Sequence, residues 1–251
     1  MPESALALVV RGTDWSETSR IATLFTREFG KIRALAKGGR RLNSKFEIAF
    51  DLLNVCEVVF LRKASGGLDL LLEAQIVERY PHLRTDMAAL YAGYYVAELL
   101  SEGTQDYDPH PALFDAATET LRNLAEGVPR RVSAFELVWL RELGYSPRFD
   151  ACAACERELS VRGAEPVRVD YSPESGGVVC PDCARRARDC RPLSGPARSI
   201  LADLAGDPAT ASKPPGLVPQ SAVREVRAAL GQTVSYVLGR RPRLLGYVDG
   251  G

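Results

Sequence analysis

Histidine, methionine and tryptophan each occur only twice in the 251 residues, and 32 Lys+Arg against 32 Asp+Glu leave no net charge. So little histidine leaves small scope for a catalytic triad, which needs an imidazole held between a nucleophile and an orienting carboxylate. His82 follows Pro81 and His110 lies between two prolines, and both read as surface residues. No GxSxG, Walker A, strand-linked GxGxxG or HExxH motif is present, which removes the common hydrolase, nucleotide-binding and metalloprotease classes. No apolar run approaches the roughly 18 residues of a membrane span. The N-terminal run Ala5 to Val10 is too short for a secretory signal and lacks its basic flank. A soluble cytoplasmic protein is expected, and the absent motifs remove the common enzymes without excluding others. The zero net charge excludes a uniformly basic nucleic-acid binder, yet it says nothing about where the charges lie.

Cysteine is what the chain does have, in a pattern. Cys152-Ala-Ala-Cys155 and Cys180-Pro-Asp-Cys183 are two CxxC turns separated by 24 residues. One such turn aims two thiolates at a common point, and two complete a tetrahedron for zinc with S–metal bonds of about 2.3 Å. Between them, Pro166 to Tyr171 reads as a strand, Ser172 to Gly177 as a turn and Val178-Val179 as the return, so a hairpin carries the second pair back to the first. The expected centre is a four-cysteine zinc ribbon at residues 150–190 holding one structural Zn²⁺. Four thiolates leave no open coordination position for chemistry. Two disulfides would need an oxidising compartment, and a thioredoxin-type redox site needs one CxxC opening a helix in a βαβ unit. Cys56 and Cys190 read as thiols outside the centre.

The periodicity divides the chain. Residues 1–80 read as five strands: a first with Leu6, Leu8 and Val10 alternating, then Arg20–Thr26, Lys31–Lys37, Asp51–Arg62 and Leu68–Leu72. This spacing suits a five-stranded Greek-key barrel of the OB type. Residues 81–251 read as a helical domain carrying the ribbon, an α+β organisation overall. Its apolar faces include Met87, Leu90, Tyr91 and Tyr94, then Leu113 to Leu124, then Phe135 to Leu143. Two helices follow the ribbon, near Pro196–Ala205 and Ser221–Leu238, joined by a Pro-containing linker over Gly206–Gln220.

Splitting the charge breaks the zero apart. Residues 1–80 carry 12 basic and 10 acidic groups, residues 81–150 carry 6 and 11, and residues 151–251 carry 14 and 11. Lys31, Arg33, Lys37, Arg40, Arg41 and Lys45 form a cationic track. Period-2 alternation puts Ile32, Ala34 and Ala36 on one face of the third strand and Lys31, Arg33 and Lys37 on the other. Such a face neutralises phosphates, with salt-dependent affinity; a solvated strand face is the simpler alternative. Trp15, Phe29 and Phe46 are candidates for stacking on bases, and equally for core. Arg224, Arg227, Arg240, Arg241 and Arg243 form a second basic group for DNA or partner contact. Arg224 and Arg227 are expected on the exposed side of the last helix, though cations near a helix C-terminus also satisfy its dipole.

The run Glu17-Thr-Ser-Arg-Ile-Ala-Thr-Leu-Phe-Thr26, then Glu28-Phe-Gly30, Ala36-Lys-Gly-Gly-Arg-Arg41 and Ser44, resembles the RecO family of bacterial DNA repair and recombination proteins. Cys152/Cys155 and Gly176-Gly-Val-Val-Cys-Pro-Asp-Cys183 are similar to its zinc-bearing members. The resemblance implies a non-enzymatic recombination mediator of the RecFOR pathway, working at the nucleoid. It would bind single- and double-stranded DNA, anneal complementary strands and act with RecR to load recombinase on strands coated by single-strand-binding protein. It also implies contact with that protein's acidic tail, for which no motif matches. Arg130-Arg131 and the C-terminal arginines are the local basic sites. Competing readings are a zinc-ribbon interaction scaffold without DNA binding and a thiol redox protein.

Overall fold

Hydrogen bonding in the computed structural model runs from β1 (Pro2–Asp14) to β2 (Arg20–Thr26), β3 (Gly30–Ala36), β5 (Asp69–Glu78), β4 (Val55–Leu61) and back to β1. The pairings are antiparallel except β3 with β5. A closed five-stranded sheet in this order is the expected OB-type architecture. The described residues are 1–38, 46, 51–63, 66–125, 127–159, 169–208 and 218–249. They fall into two compact units, Met1–Glu126 and Gly127–Gly251. Strand gives way to helix after residue 80, but the first two long helices pack with the barrel.

The barrel interior is lined by Ala5, Ala7 and Val9 of β1, Ala22 and Leu24 of β2, Ile32, Ala34 and Ala36 of β3, and Cys56, Val58 and Phe60 of β4. Leu6, Leu8 and Val10, the alternating set of the sequence, lie on the other parity. The strand is as expected, and it buries both faces: Leu8 and Val10 are 0% and 6% exposed where α1 packs on the outside of the strand. Small residues face inward because the interior of a small barrel tapers. The register of β1 on β2 then shifts between Val9 and Arg11. This bulge at Val10 reverses the parity, and Arg11 and Thr13 face outward although their odd numbers match Ala7 and Val9.

Two helices clasp the barrel, α1 (Met87–Gly103) and α2 (Pro111–Asn123). Asp86 caps α1, its Oδ1 accepting from the Ala88 and Ala89 amides at 2.8 and 3.3 Å. The buried face of α1 holds Ala89, Ala92, Gly93, Tyr95, Val96, Leu99 and Leu100. The expected face is only half-buried, with Met87 61% exposed. Close approach decides the rotation, since a Cβ on Gly93 would lie 2.8 Å from Leu53 Cδ1. Phe25 of β2 stacks on Phe114 of α2 at 6.4 Å. Arg27 donates twice to Asp115 at 2.9 and 3.0 Å, and Arg122 twice to Glu78 at 2.7 Å. Gly30, at φ +69°, lets the chain pass so near Asp108 that a Cβ would strike its carbonyl.

The second unit contains α3 (Val128–Glu142), the ribbon strands β6 (Val169–Ser172), β7 (Gly177–Val179) and β8 (Arg191–Leu193), and the short α4 (Pro181–Ala184). It continues with α5 (Gly195–Gly206), α6 (Gln220–Leu238) and the short α7 (Leu245–Val248). Most of the expected 206–220 linker, residues 209–217, lies outside the described residues. Val226, Leu230 and Val234 of α6 are buried as their spacing suggests. Arg227 is a correction: expected on the exposed side, it is 2% exposed. Its guanidinium pairs with Glu136 of α3, itself fully buried, and reaches Asp249 Oδ1 at 3.1 Å and Ser133 Oγ at 3.3 Å. A cation at that position survives burial because a carboxylate from the facing helix neutralises it.

Removing one partner of a buried ion pair strands the other, at about 3–5 kcal/mol. Arg227→Met is therefore expected to lower unfolding free energy by about that amount in denaturant titrations. The double variant Arg227→Met/Glu136→Leu is expected to recover a large part of it. An exposed pair would show neither effect.

Candidate nucleic-acid interface and metal centre

The four cysteines converge. One ligand atom from each of Cys152, Cys155, Cys180 and Cys183 lies within 4.8 Å of the others. Tetrahedral coordination with bonds of about 2.3 Å separates ligand sulfurs by about 3.8 Å, and Cys155 and Cys180 Sγ are 3.9 Å apart. The turn 152–155 is closed by Glu156 N–H donating to the Cys152 carbonyl at 2.8 Å, with Glu156 at φ +62°. It is joined to the hairpin by Ala153 N–H donating to Val178 O at 2.8 Å. On the other arm, β6 pairs with β7, and Cys180 leads directly into α4. Gly177 closes the approach: at φ +151° it sits so near Arg148 that a Cβ would strike that carbonyl.

The electrostatics also suit a cation. Burial opposes ionisation of Cys152, but donation from the amides of Cys180, Ala154 and Cys155 brings its thiol down to about 6. The neighbouring sulfurs of Cys180, Cys155 and Cys152 push Cys183 up to about 12. Four sulfurs this close cannot all ionise without a positive charge among them. Cys56 lies in the barrel core, where burial pushes it up to about 11, and Cys190 lies outside the cluster. Two features went unread in the sequence. The third ribbon strand, β8, is only Arg191–Leu193 around a proline, a signal too short for alternation to register. Arg198 is 3% exposed in α5, donating to the Phe149 carbonyl at 2.8 Å and to the Leu159 carbonyl, so one buried cation brackets the first CxxC turn.

The cationic track divides. Lys31 is occupied: its ammonium donates to the Ser101 and Thr104 carbonyls at 2.8 and 2.6 Å, with Asp106 at 3.4 Å, and so ties the barrel to the end of α1. Arg33 and Lys37 are exposed. Arg40, Arg41 and Lys45 lie outside the described residues. Arg11 was missed, because only the bulge places it outward. Across the three strands Arg11 pairs with Thr23, and Thr23 with Arg33; the next row is Thr13, Ile21 and Leu35. Residues in register share a face, so Arg11, Thr23 and Arg33 form one polar row on the outside of the barrel. Phe46 is core at 7% exposed, and Phe29 packs edge-on against Phe60 at 5.6 Å, while Trp15 is 63% exposed. In the second unit, Arg224, Arg240, Arg241 and Arg243 are exposed, and Arg130 and Arg131 are half-buried in α3. His82 binds the Leu121 carbonyl at 2.9 Å and His110 contacts Asp108 at 3.2 Å, both local structural roles.

Among the described residues no helix is long and apolar enough to cross a membrane. The family model for the N-terminal part of recombination protein O matches residues 1–80, and the model for its C-terminal part matches residues 84–245. A DNA repair protein RecO from Rhodopirellula baltica is 35% identical, over 95% of this chain and 96% of its own length. Two from Anaeromyxobacter species are 35% and 34% identical, each over 96% of this chain and at least 93% of their own length. Matched from barrel to last helix, with the four-cysteine ribbon in between, the chain belongs to the RecO family of DNA repair proteins.

Proposed function

We propose that this chain is a non-enzymatic recombination mediator that holds DNA by its phosphates on the barrel. The observation that carries the reading is the outward row of Arg11, Thr23 and Arg33, with Lys37 exposed just past the strand; Arg40, Arg41 and Lys45 follow in the sequence, outside the described residues. Cations on a rigid sheet bind single and double strands alike through counterion release. Two strands near such a surface lose much of their mutual repulsion, so complementary strands pair without nucleotide hydrolysis. Family membership supports the wider role: cytoplasmic action with RecR to load recombinase on strands coated by single-strand-binding protein. The exposed arginines 224, 240, 241 and 243 offer a second basic surface for DNA or a partner. The ribbon is proposed to hold one structural Zn²⁺ through Cys152, Cys155, Cys180 and Cys183.

The triple variant Lys37→Ala/Arg40→Ala/Arg41→Ala is expected to weaken binding of both DNA types. The slope of log affinity against log salt should fall by about 0.7–0.9 for each phosphate that is no longer neutralised. An unchanged slope in fluorescence anisotropy titrations would refute the phosphate-track assignment. For the ribbon, metal analysis of purified protein is expected to find one zinc per chain. Chelation should release four titratable thiols and melt the ribbon, since structural zinc supplies on the order of 10 kcal/mol of folding free energy. Metal-free protein with a reversible Cys152–Cys155 disulfide would instead establish the redox reading.

A further inference from the structure

Trp15 is an aromatic residue that the barrel leaves in water. The other tryptophan, Trp139 of α3, is 0% exposed. Trp15 stands just past β1 at the tip of the β1–β2 hairpin, where it is 63% exposed. The tip is braced: Trp15 N–H donates to Ser19 O at 3.0 Å, Ser16 N–H to the same carbonyl at 3.2 Å, and Ser19 N–H to Ser16 Oγ at 3.1 Å. The indole is thus mounted on a closed turn of a rigid sheet.

Charge is graded along this outer face. At the α1 end, Glu102 lies 4.0 Å from Arg11 and Asp106 lies 3.4 Å from Lys31, so acids offset the cations there. Toward the hairpin tip, Asp14 is offset by Arg20 at 3.1 Å, and Glu17 is the other acid of the turn. Arg33 and Lys37 are exposed on the neighbouring strand and just beyond it. Four residues of strand from Arg33 to Lys37 span about 13 Å, the length of about four stacked nucleotides. A backbone drawn to Arg33 and Lys37 passes beside the turn that carries the indole. An aromatic ring stacks on any base whose face is open, whereas in a duplex those faces are already stacked within the helix.

We propose that Trp15 is a base-stacking residue that makes this face favour single-stranded over double-stranded DNA. The inference rests on the barrel face being the DNA surface, and the test separates the two. Full-length protein, Trp15→Ala, Trp15→Phe and Arg33→Ala/Lys37→Ala are titrated against a labelled oligothymidylate and a labelled hairpin duplex. In parallel, the tryptophan emission of the unaltered protein is followed with unlabelled oligothymidylate. With Trp139 buried, oligothymidylate is expected to quench Trp15 emission. Trp15→Ala should weaken single-strand binding roughly 5- to 100-fold, the range for one stacked base, and leave duplex binding unchanged. Trp15→Phe should retain most of the single-strand affinity. Arg33→Ala/Lys37→Ala should lose affinity for both DNAs. Equal losses for both DNAs in Trp15→Ala, no loss for either, or binding without quenching would each overturn the role of Trp15 while leaving the face in place. Full affinity for both DNAs in Arg33→Ala/Lys37→Ala would overturn the face itself, and the inference with it.

Discussion

The bulge at Val10 is the constraint on which the outer surface of the barrel depends. Before it, odd-numbered residues of β1 fill the interior as Ala5, Ala7 and Val9; after it, odd-numbered residues face out. Strict alternation would drive the Arg11 guanidinium and the Thr13 hydroxyl into an apolar interior, and an unpartnered polar group there costs several kcal/mol. One inserted residue removes that conflict and also increases the local twist of the strand. The same step brings Arg11 into line with Thr23 and Arg33, so the polar outer row follows from one backbone irregularity.

A cation can serve the fold or a ligand, and the first unit divides its cations between the two. Arg27 and Lys31 are occupied by Asp115, Asp106 and the last carbonyls of α1. The acidity of residues 81–150 therefore has a structural use: Asp106 and Asp115 each meet a barrel cation, which ties the helical segment to the strands. The basic residues nearest the helices are taken up in this way. Arg33 lines a shared hollow with Ser101, Glu102 and Asp106 yet stays exposed, and Lys37 is exposed just past the strand. The polarity of the surface thus arises from which cations the helices reach, and it is invisible in a count of charges.

Much of this was legible in the sequence, and the exceptions share a cause. The strand Arg20–Thr26 matches β2, Lys31–Lys37 is offset by one residue from β3, and Ile32, Ala34 and Ala36 are buried as alternation requires, because β2 and β3 pair in unbroken register. The double CxxC brought four sulfurs to one point because short spacings fix local turns whatever surrounds them. Leu6, Leu8 and Val10 lie in the expected first strand, but which face lines the interior was not legible, because a helix covers the outside of β1 and alternation signals burial only when one face is wet. Met87 and Leu90 misled because close packing at Gly93 turns α1 onto a face whose first turns are the small residues Ala89, Ala92 and Gly93, which hydrophobic periodicity underweights. Arg227 is buried by a partner 91 residues away in sequence, Glu136, and no local pattern carries that pairing.

Affinity and discrimination call for different groups on one face, and this geometry keeps them apart. Phosphate contacts are insensitive to sequence and leave the base edges unoccupied. An indole stacked on a base covers a face of that base and not the hydrogen-bonding edge by which it pairs. On the proposed reading, a strand held by Arg33 and Lys37 and stacked at Trp15 therefore still presents its edges to a complementary strand. Once the duplex forms, its bases stack on each other, the indole loses its partner, and only the salt-sensitive phosphate contacts remain. On that reading, pairing removes the stacking contribution, and the hold on the strand weakens as annealing proceeds without an energy source.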